Sequence, residues 1–295
     1  MRKLFLALLI LGLVVNPVFS ADKWMEGDGS DVISGTDSVS DVDTLLASSS
    51  TNPLDRLLDK YLTGCSLTWT DADTITVGIG SVACEDAGGV HRFRENTSTF
   101  TIDLSVSSDT AGVDKVGDVD KASSWFYVYA NADADATTFT GCASLSDAAP
   151  DGPTYFRLIG AVYNDAGQDM LAFYQRGDIV MYDIPRNMST TLSNNAWTDG
   201  STLAKGDCAT LIPSISEMGI FGLLAVEGGT ECGVWIRPND STWATDNSNA
   251  VFAGNDDVGG QRFCATDTSQ VINYQTQTDD TAVRIDVEGY IINLY

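Results

Sequence analysis

The sequence predicts an all-β protein: two antiparallel β-sandwich-like domains preceded by a short amphipathic helix. Three observations carry this. Apolar and polar residues alternate at period two through much of the chain after residue 65. Clusters of Asp, Asn and Gly punctuate the alternating runs, as turns require. A clear 3.6-residue period occurs only near residues 54–62, so the helical crossovers that parallel sheets need are missing.

The chain opens with Arg2 and Lys3, an apolar run from Leu4 to Val15, and Val18-Phe19-Ser20. This is the pattern of a secretory signal peptide, residues 1–20, cleaved after Ser20 or Ala21. Residues 21–51 are rich in Asp, Ser, Gly and Thr and form a polar linker. The helix is expected over 52–64. Asn52 caps it, Pro53 takes the first helical position, and Gly64 stops it. Leu54, Leu57, Leu58, Tyr61 and Leu62 then share one stripe. A helix of this length is marginal alone and must bury that stripe, so Leu54, Leu57, Leu58 and Tyr61 are the candidate surface for self-association.

A first β domain is expected over 65–184 and a second over 208–295. The polar stretch 185–207, which holds Pro185, links them. Ile75, Val77 and Ile79 share one strand face; Phe100, Ile102 and Leu104 share another; Val283, Ile285 and Val287 a third. Residues 125–130 are apolar on both faces, as a central strand would be. Further strands are expected near 154–163, 169–175, 178–183, 219–226, 232–237 and 270–275. Turns are expected at 86–89, 164–167, 227–229 and 256–260.

The chain has 295 residues, 43% of them hydrophobic, and a net charge of -25. Such acidity repels nucleic acid and anionic membrane surfaces. After the leader, no stretch approaches the ~20 apolar residues of a membrane helix, so the mature chain is expected not to insert. Six cysteines in an exported chain are expected to pair, and Cys65 with Cys84, flanking a strand pair, is the first choice. A loop of that size would contribute roughly 3 kcal/mol in the chain-entropy view. The spacing C-x-x-C does not occur, which argues against a zinc knuckle, a thioredoxin-type site or haem attachment.

Catalytic and metal signals are thin. His91 is the only histidine, which excludes a two-histidine metal site, and a structural role is preferred for it. The 41 acids guarantee chance carboxylate pairs, and no spacing singles one out as a glycosidase dyad. Residues 27–35 match a single calcium β-roll nonapeptide. Asn131, Asp133 and Asp135 match the first ligand positions of an EF-hand loop, but Ala136 and Cys142 replace its glycine and glutamate. Linker and strand-edge readings are preferred for both. No cofactor is expected. Trp197 and Trp243 lie in polar stretches where aromatic rings can stack on sugars, and they are the candidate ligand contacts. The last residues, 290–295, end in an aromatic as outer-membrane strands do, but Asn293 breaks the alternation.

Several blocks together carry a family resemblance. They are Leu54-Asp55-Arg56-Leu57-Leu58 with Gly64-Cys65, residues 74–77 with Gly80 and Ala83-Cys84, residues 89–98, the aromatic run 125–139, residues 154–160, and Gln175-Arg176-Gly177-Asp178. In this order they resemble bacteriophage tail-fibre and related virion structural proteins, over about residues 54–183. The resemblance implies a β-rich structural unit after a short helix, and no catalytic residues. The leader points to an exported, cell-encoded relative of such proteins.

The expected function is therefore a secreted, non-enzymatic structural protein at the cell surface or outside the cell. It would be a fibre or filament subunit, or a tail-fibre-like attachment protein, that associates with itself. A monomeric adhesin or carbohydrate-binding module, with a glycan or cell-surface ligand, is the alternative. A glycosidase or an outer-membrane barrel ranks below both.

Overall fold

The computed structural model describes residues 61–188, 204–226, 232–239, 250–253, 258–276, 282–292 and 294. The expected leader, linker and most of the expected helix lie outside these residues.

The first half is built on a bent ribbon. Strand β1 (Leu62–Gly64) pairs antiparallel with β4 (Gly80–Glu85), and β2 (Leu67–Trp69) pairs antiparallel with β3 (Thr74–Val77). The two pairs are halves of one hairpin: Cys65 N donates to Ile79 O at 3.1 Å, and Gly78 N to Ser66 O at 3.0 Å, across the bend. Strand β5 (His91–Asn96) adds to β4 and β6 (Phe100–Ser107) to β3. The short β7 (Gly112–Val113) lies parallel to both β6 and β9 (Thr140–Ser144); β9 pairs with β8 (Ser124–Ala132), and β8 with β10 (Tyr155–Asn164). β10 returns to β4 at Phe156 and Glu85. The path from β4 through β10, β8, β9, β7 and β6 thus arrives at β3, the other arm of the same bent strand. The sheet closes on itself around Ile75, Val82, Ile102, Leu104, Phe126 and Val128, all fully buried.

The second half continues this sheet. β11 (Phe173–Arg176) pairs with β2 and with β12 (Ile179–Asn187). β12 pairs with β19 (Ala282–Ile292), β19 with β14 (Ser216–Val226), and β14 with β17 (Val258–Ala265). A second, four-stranded sheet runs β13 (Ala204–Asp207), β18 (Val271–Thr276), β15 (Cys232–Pro238), β16 (Ala250–Ala253). Its β15 and β16 pack on β14 and β17. Phe221, Leu223, Val234, Ile236 and Ile272 fill the space between the layers.

The all-β expectation therefore stands, and two details of it are corrected. The described strands do not form two separate sandwiches: fifteen of them, from both halves, join one sheet, and four form the other. Nor does a helix lead into the sheet among the described residues. Leu62–Gly64, the expected last turn of that helix, is a strand, because its backbone is claimed by the ladder to β4. Leu54, Leu57 and Leu58 lie outside the described residues.

The expected disulfide is also corrected. Cys65, Cys84, Cys142, Cys208 and Cys264 are all buried free thiols. Cys65 follows Gly64, the register partner of Gly80, whereas Cys84 lies four positions further along β4. Four strand positions span roughly 13 Å, against about 4.4–6.8 Å between Cα atoms joined by a disulfide. Each thiol instead points at a carbonyl, Cys65 at Thr63 O and Cys84 at Ala130 O.

Turns at 86–89 and 164–167 form as expected. The one expected at 256–260 is strand from Val258 onward. Gly259 and Gly260 sit opposite Leu224 and Leu223 in the ladder to β14.

Candidate functional site

The sequence-predicted site residues scatter. Tyr61 is half-buried at the sheet edge, its ring 5.4 Å from that of Phe93 and its carbonyl accepting from Ala83 N at 3.0 Å. Trp197 and Trp243 lie outside the described residues. His91 is buried on β5 opposite Glu85.

The EF-hand-like stretch is occupied by a cation that the chain supplies itself. Arg94 sits on β5 opposite Val82 and is fully buried. Burying a guanidinium is costly unless its donors are met. Its Nη1 donates to Phe93 O at 2.7 Å, and its Nη2 to Ala134 O at 3.0 Å and Asp133 O at 3.4 Å. Asn131 is committed as well: its Oδ1 accepts from Thr140 Oγ1 at 2.6 Å, and its Nδ2 donates to Asp109 O. Among the described residues, no group of three acids, cysteines or histidines is placed to hold a metal ion.

Part of the acidity is spent on turns. Three turns repeat one device in which an aspartate Oδ1 accepts the N–H groups two and four residues on. In the first, Asp86 takes Gly88 N (2.8 Å) and Val90 N (2.9 Å). In the second, Asp165 takes Gly167 N (2.7 Å) and Asp169 N (3.2 Å). In the third, Asp267 takes Ser269 N (2.9 Å) and Val271 N (2.8 Å). The residue three positions after the aspartate has positive φ each time: Gly89 at 80°, Gln168 at 70° and Gln270 at 58°. These carboxylates replace main-chain acceptors at the tightest point of each turn.

One cluster of carboxylates is electrostatically perturbed. Asp73 and Asp120 flank Leu104, which donates its N–H to Asp73 O (2.8 Å) and accepts from Asp120 N (3.0 Å). Desolvation first, then the charges of Asp120, Asp103, Asp71 and Asp169, push the Asp73 carboxyl above the usual range. Desolvation and Asp103 do the same to Asp120.

The feature that the sequence reading missed is a face. On the outer side of the sheet, cross-strand partners run in one row through Thr68, Tyr174, Met181, Gly289, Ile220 and Phe263, from β2 to β17. The next row runs through Arg176, Ile179, Ile291, Met218 and Ala265. From β12 to β17 neither row holds a charged residue. Tyr174 is 62% exposed, Phe263 52% and Ile179 44%. At the middle of the face a Cβ on Gly289 would lie 2.1 Å from Val180 O and 2.9 Å from the Met181 sulfur, and Ile220 beside it is buried, so the exposed apolar side chains stand toward the two ends of the rows. A signal was present in the sequence: residues 179–182 and 220–225 are apolar on both strand faces, as if covered twice.

Comparison of the chain with protein-family models, with curated proteins and with solved structures finds no match.

Proposed function

We propose that this is an exported, non-enzymatic structural protein: a subunit of an extracellular fibre or filament, or a tail-fibre-like attachment protein, that works by assembling with its own copies. One observation supports this reading above the others. The sheet is continuous through both halves, and side chains tie the halves by bonds to distant carbonyls. Trp125 Nε1 donates to Ala209 O (2.7 Å), Tyr182 Oη to Leu211 O (2.7 Å) and Tyr290 Oη to Ala161 O (2.8 Å). The rings of Trp125, Tyr163, Tyr182 and Tyr290 pack in series at the same joint, with centroids 5.2–6.0 Å apart. A joint closed in this way suits a part that transmits load, whereas a cleft between halves would suit a part that binds and turns over a substrate.

The test is the absolute mass of the mature chain in solution, by light scattering. A trimer or an open polymer supports the reading. A monomer at all accessible concentrations removes its premise and sends the search to glycan ligands.

A further inference from the structure

We infer that the outer apolar face of β12, β19, β14 and β17, with Tyr174 of β11 at its margin, is where a second copy of this chain docks. The inference rests on the assembly reading above and names its contact.

The face is fixed by backbone pairing. Ile179, Met181, Ile291, Met218, Ile220 and Phe263 belong to neighbouring strands in local register, so their side chains rise from one side of one sheet. Ile220 is itself covered by its neighbours, Met181, Met218 and Ile291 are half-buried, and Ile179 and Phe263, with Tyr174, carry the exposed apolar surface. Sheets with an exposed apolar side are stabilised by face-to-face packing against another layer at about 10 Å. The four-stranded sheet covers the opposite side, over Phe221 and Leu223.

Charge selects the occupant. Copies that each carry a net charge of -25 repel, and they can approach closely only where carboxylates are missing. This face meets that condition, and a second copy presents the same uncharged surface, as a two-fold contact requires. A glycan would need hydrogen-bonding groups around its ring. Of the two hydroxyls at the margin, Thr68 and Tyr174, the Tyr174 Oη already donates to Asp183 Oδ1 at 3.1 Å.

Area agrees with a contact of this kind. Five strands at about 4.8 Å and four residues at about 3.3 Å make a face of roughly 24 by 13 Å. That is the apolar centre of an interface of about 800 Å² per partner, which needs a polar rim. Arg176, Asp183, Gln261 and Glu288 stand around the face; the last two are hydrogen-bonded to each other.

The experiment measures sedimentation of the mature wild-type chain beside Ile179→Asp, Phe263→Asp and Tyr174→Arg. Val116→Asp is the control, an equally apolar and more exposed site (79%) at the turn following β7. The expected result is an associating wild type and control, with the dissociation constant raised at least tenfold in each face variant and the β-sheet circular dichroism unchanged. Ile179→Ser and Phe263→Ser replace the aspartates where these disturb folding. Face variants that associate like wild type overturn the docking site and leave the assembly reading standing. A monomeric wild type overturns both. A monomeric wild type that binds neutral lipid vesicles through Phe263 overturns the second copy in favour of a lipid surface.

Discussion

Gly64 and Gly80 face each other across the bend of the β1–β4 ribbon, and neither has room for a side chain. A Cβ on Gly64 would lie 2.2 Å from Ile79 O; one on Gly80 would lie 2.4 Å from Thr63 O and 2.5 Å from Cys65 Sγ. Gly64 also has φ of +72°, and Cys65 follows at +56°. The close crossing lets one strand leave the β4 side of the closed sheet and enter the β3 side. Without it the core would have an open corner.

The first prediction follows from that crossing. Gly64→Ala and Gly80→Ala are each expected to destabilise by about 2–4 kcal/mol, since the obstacles are mainly backbone and the left-handed φ adds strain at Gly64. Gly117, where a Cβ would meet nothing within 4 Å, is the control and should tolerate alanine within about 0.5 kcal/mol. Urea unfolding midpoints at constant m-value provide the check.

The second prediction concerns the aspartate-locked turns. Asp86→Ala and Asp267→Ala each remove an acceptor serving two N–H groups, and about 1–2 kcal/mol should be lost. Asp→Asn at the same sites keeps an oxygen in place and should recover more than half of it. Equal loss in both substitutions would show that charge, rather than the acceptor, matters.

The third prediction is a pH dependence of opposite sign at two places. The Asp73 and Asp120 carboxyls titrate above the usual value when folded, because burial and neighbouring acids disfavour their charge. They bind protons more tightly folded than unfolded, so they destabilise the fold at neutral pH. That penalty is relieved as pH falls through their raised values toward 3.8. Asp73→Asn should therefore be stabilising at pH 7 and neutral near pH 3. Asp267 runs the other way. Hydrogen bonds from Val271 N, then from Asn239 and Ser269, hold its carboxyl below the usual value, and its contribution is lost as pH falls through that lowered value. Thermal unfolding of wild type, Asp73→Asn and Asp267→Asn between pH 3 and 7 separates the two.

How far the sequence reached depended on which forces had local signatures. Alternation marked β3, β6 and β19 because one face of each meets the core and the other does not. The strand at Leu62–Gly64 had no such signature. Its Leu62 also fits a helical stripe begun at Leu54, and only the distant partner β4 decides between the two. β7 and β9 were missed because they are short and their partners are remote, Val113 pairing with Ala143. Arg94 shows the same limit at a site. Its residue type argues for solvent, and the carbonyls of Asp133 and Ala134, some forty residues away, overrule that. The outer face was legible as doubly apolar strands, but which side would stay bare was set by where the second sheet packs.

Arg94 supplies the fourth prediction. Arg94→Met replaces the buried cation by an apolar chain and leaves the Asp133 and Ala134 carbonyls without their donor, so about 2–4 kcal/mol should be lost. Arg94→Lys should be no milder, because one ammonium group cannot serve the spread of oxygens that the planar guanidinium meets. Loosening should be local first: hydrogen exchange is expected to rise across residues 131–140 before the rest of the sheet responds. Uniform acceleration over the whole first half would instead make Arg94 part of the global core.

The last prediction concerns the thiols. Burial raises the Cys65, Cys84, Cys142, Cys208 and Cys264 thiols to about 12. At pH 8 almost none of each is thiolate, and the side chains are closed to reagent as well. Iodoacetamide should therefore modify none of the five in the folded protein over hours, and all five once it is unfolded in guanidinium. The unreduced protein should show no mass deficit for a Cys65–Cys84 bridge. A bridge found there by peptide mapping would require β1 to slide several positions along β4, which would take Gly64 away from Gly80 and break the corner.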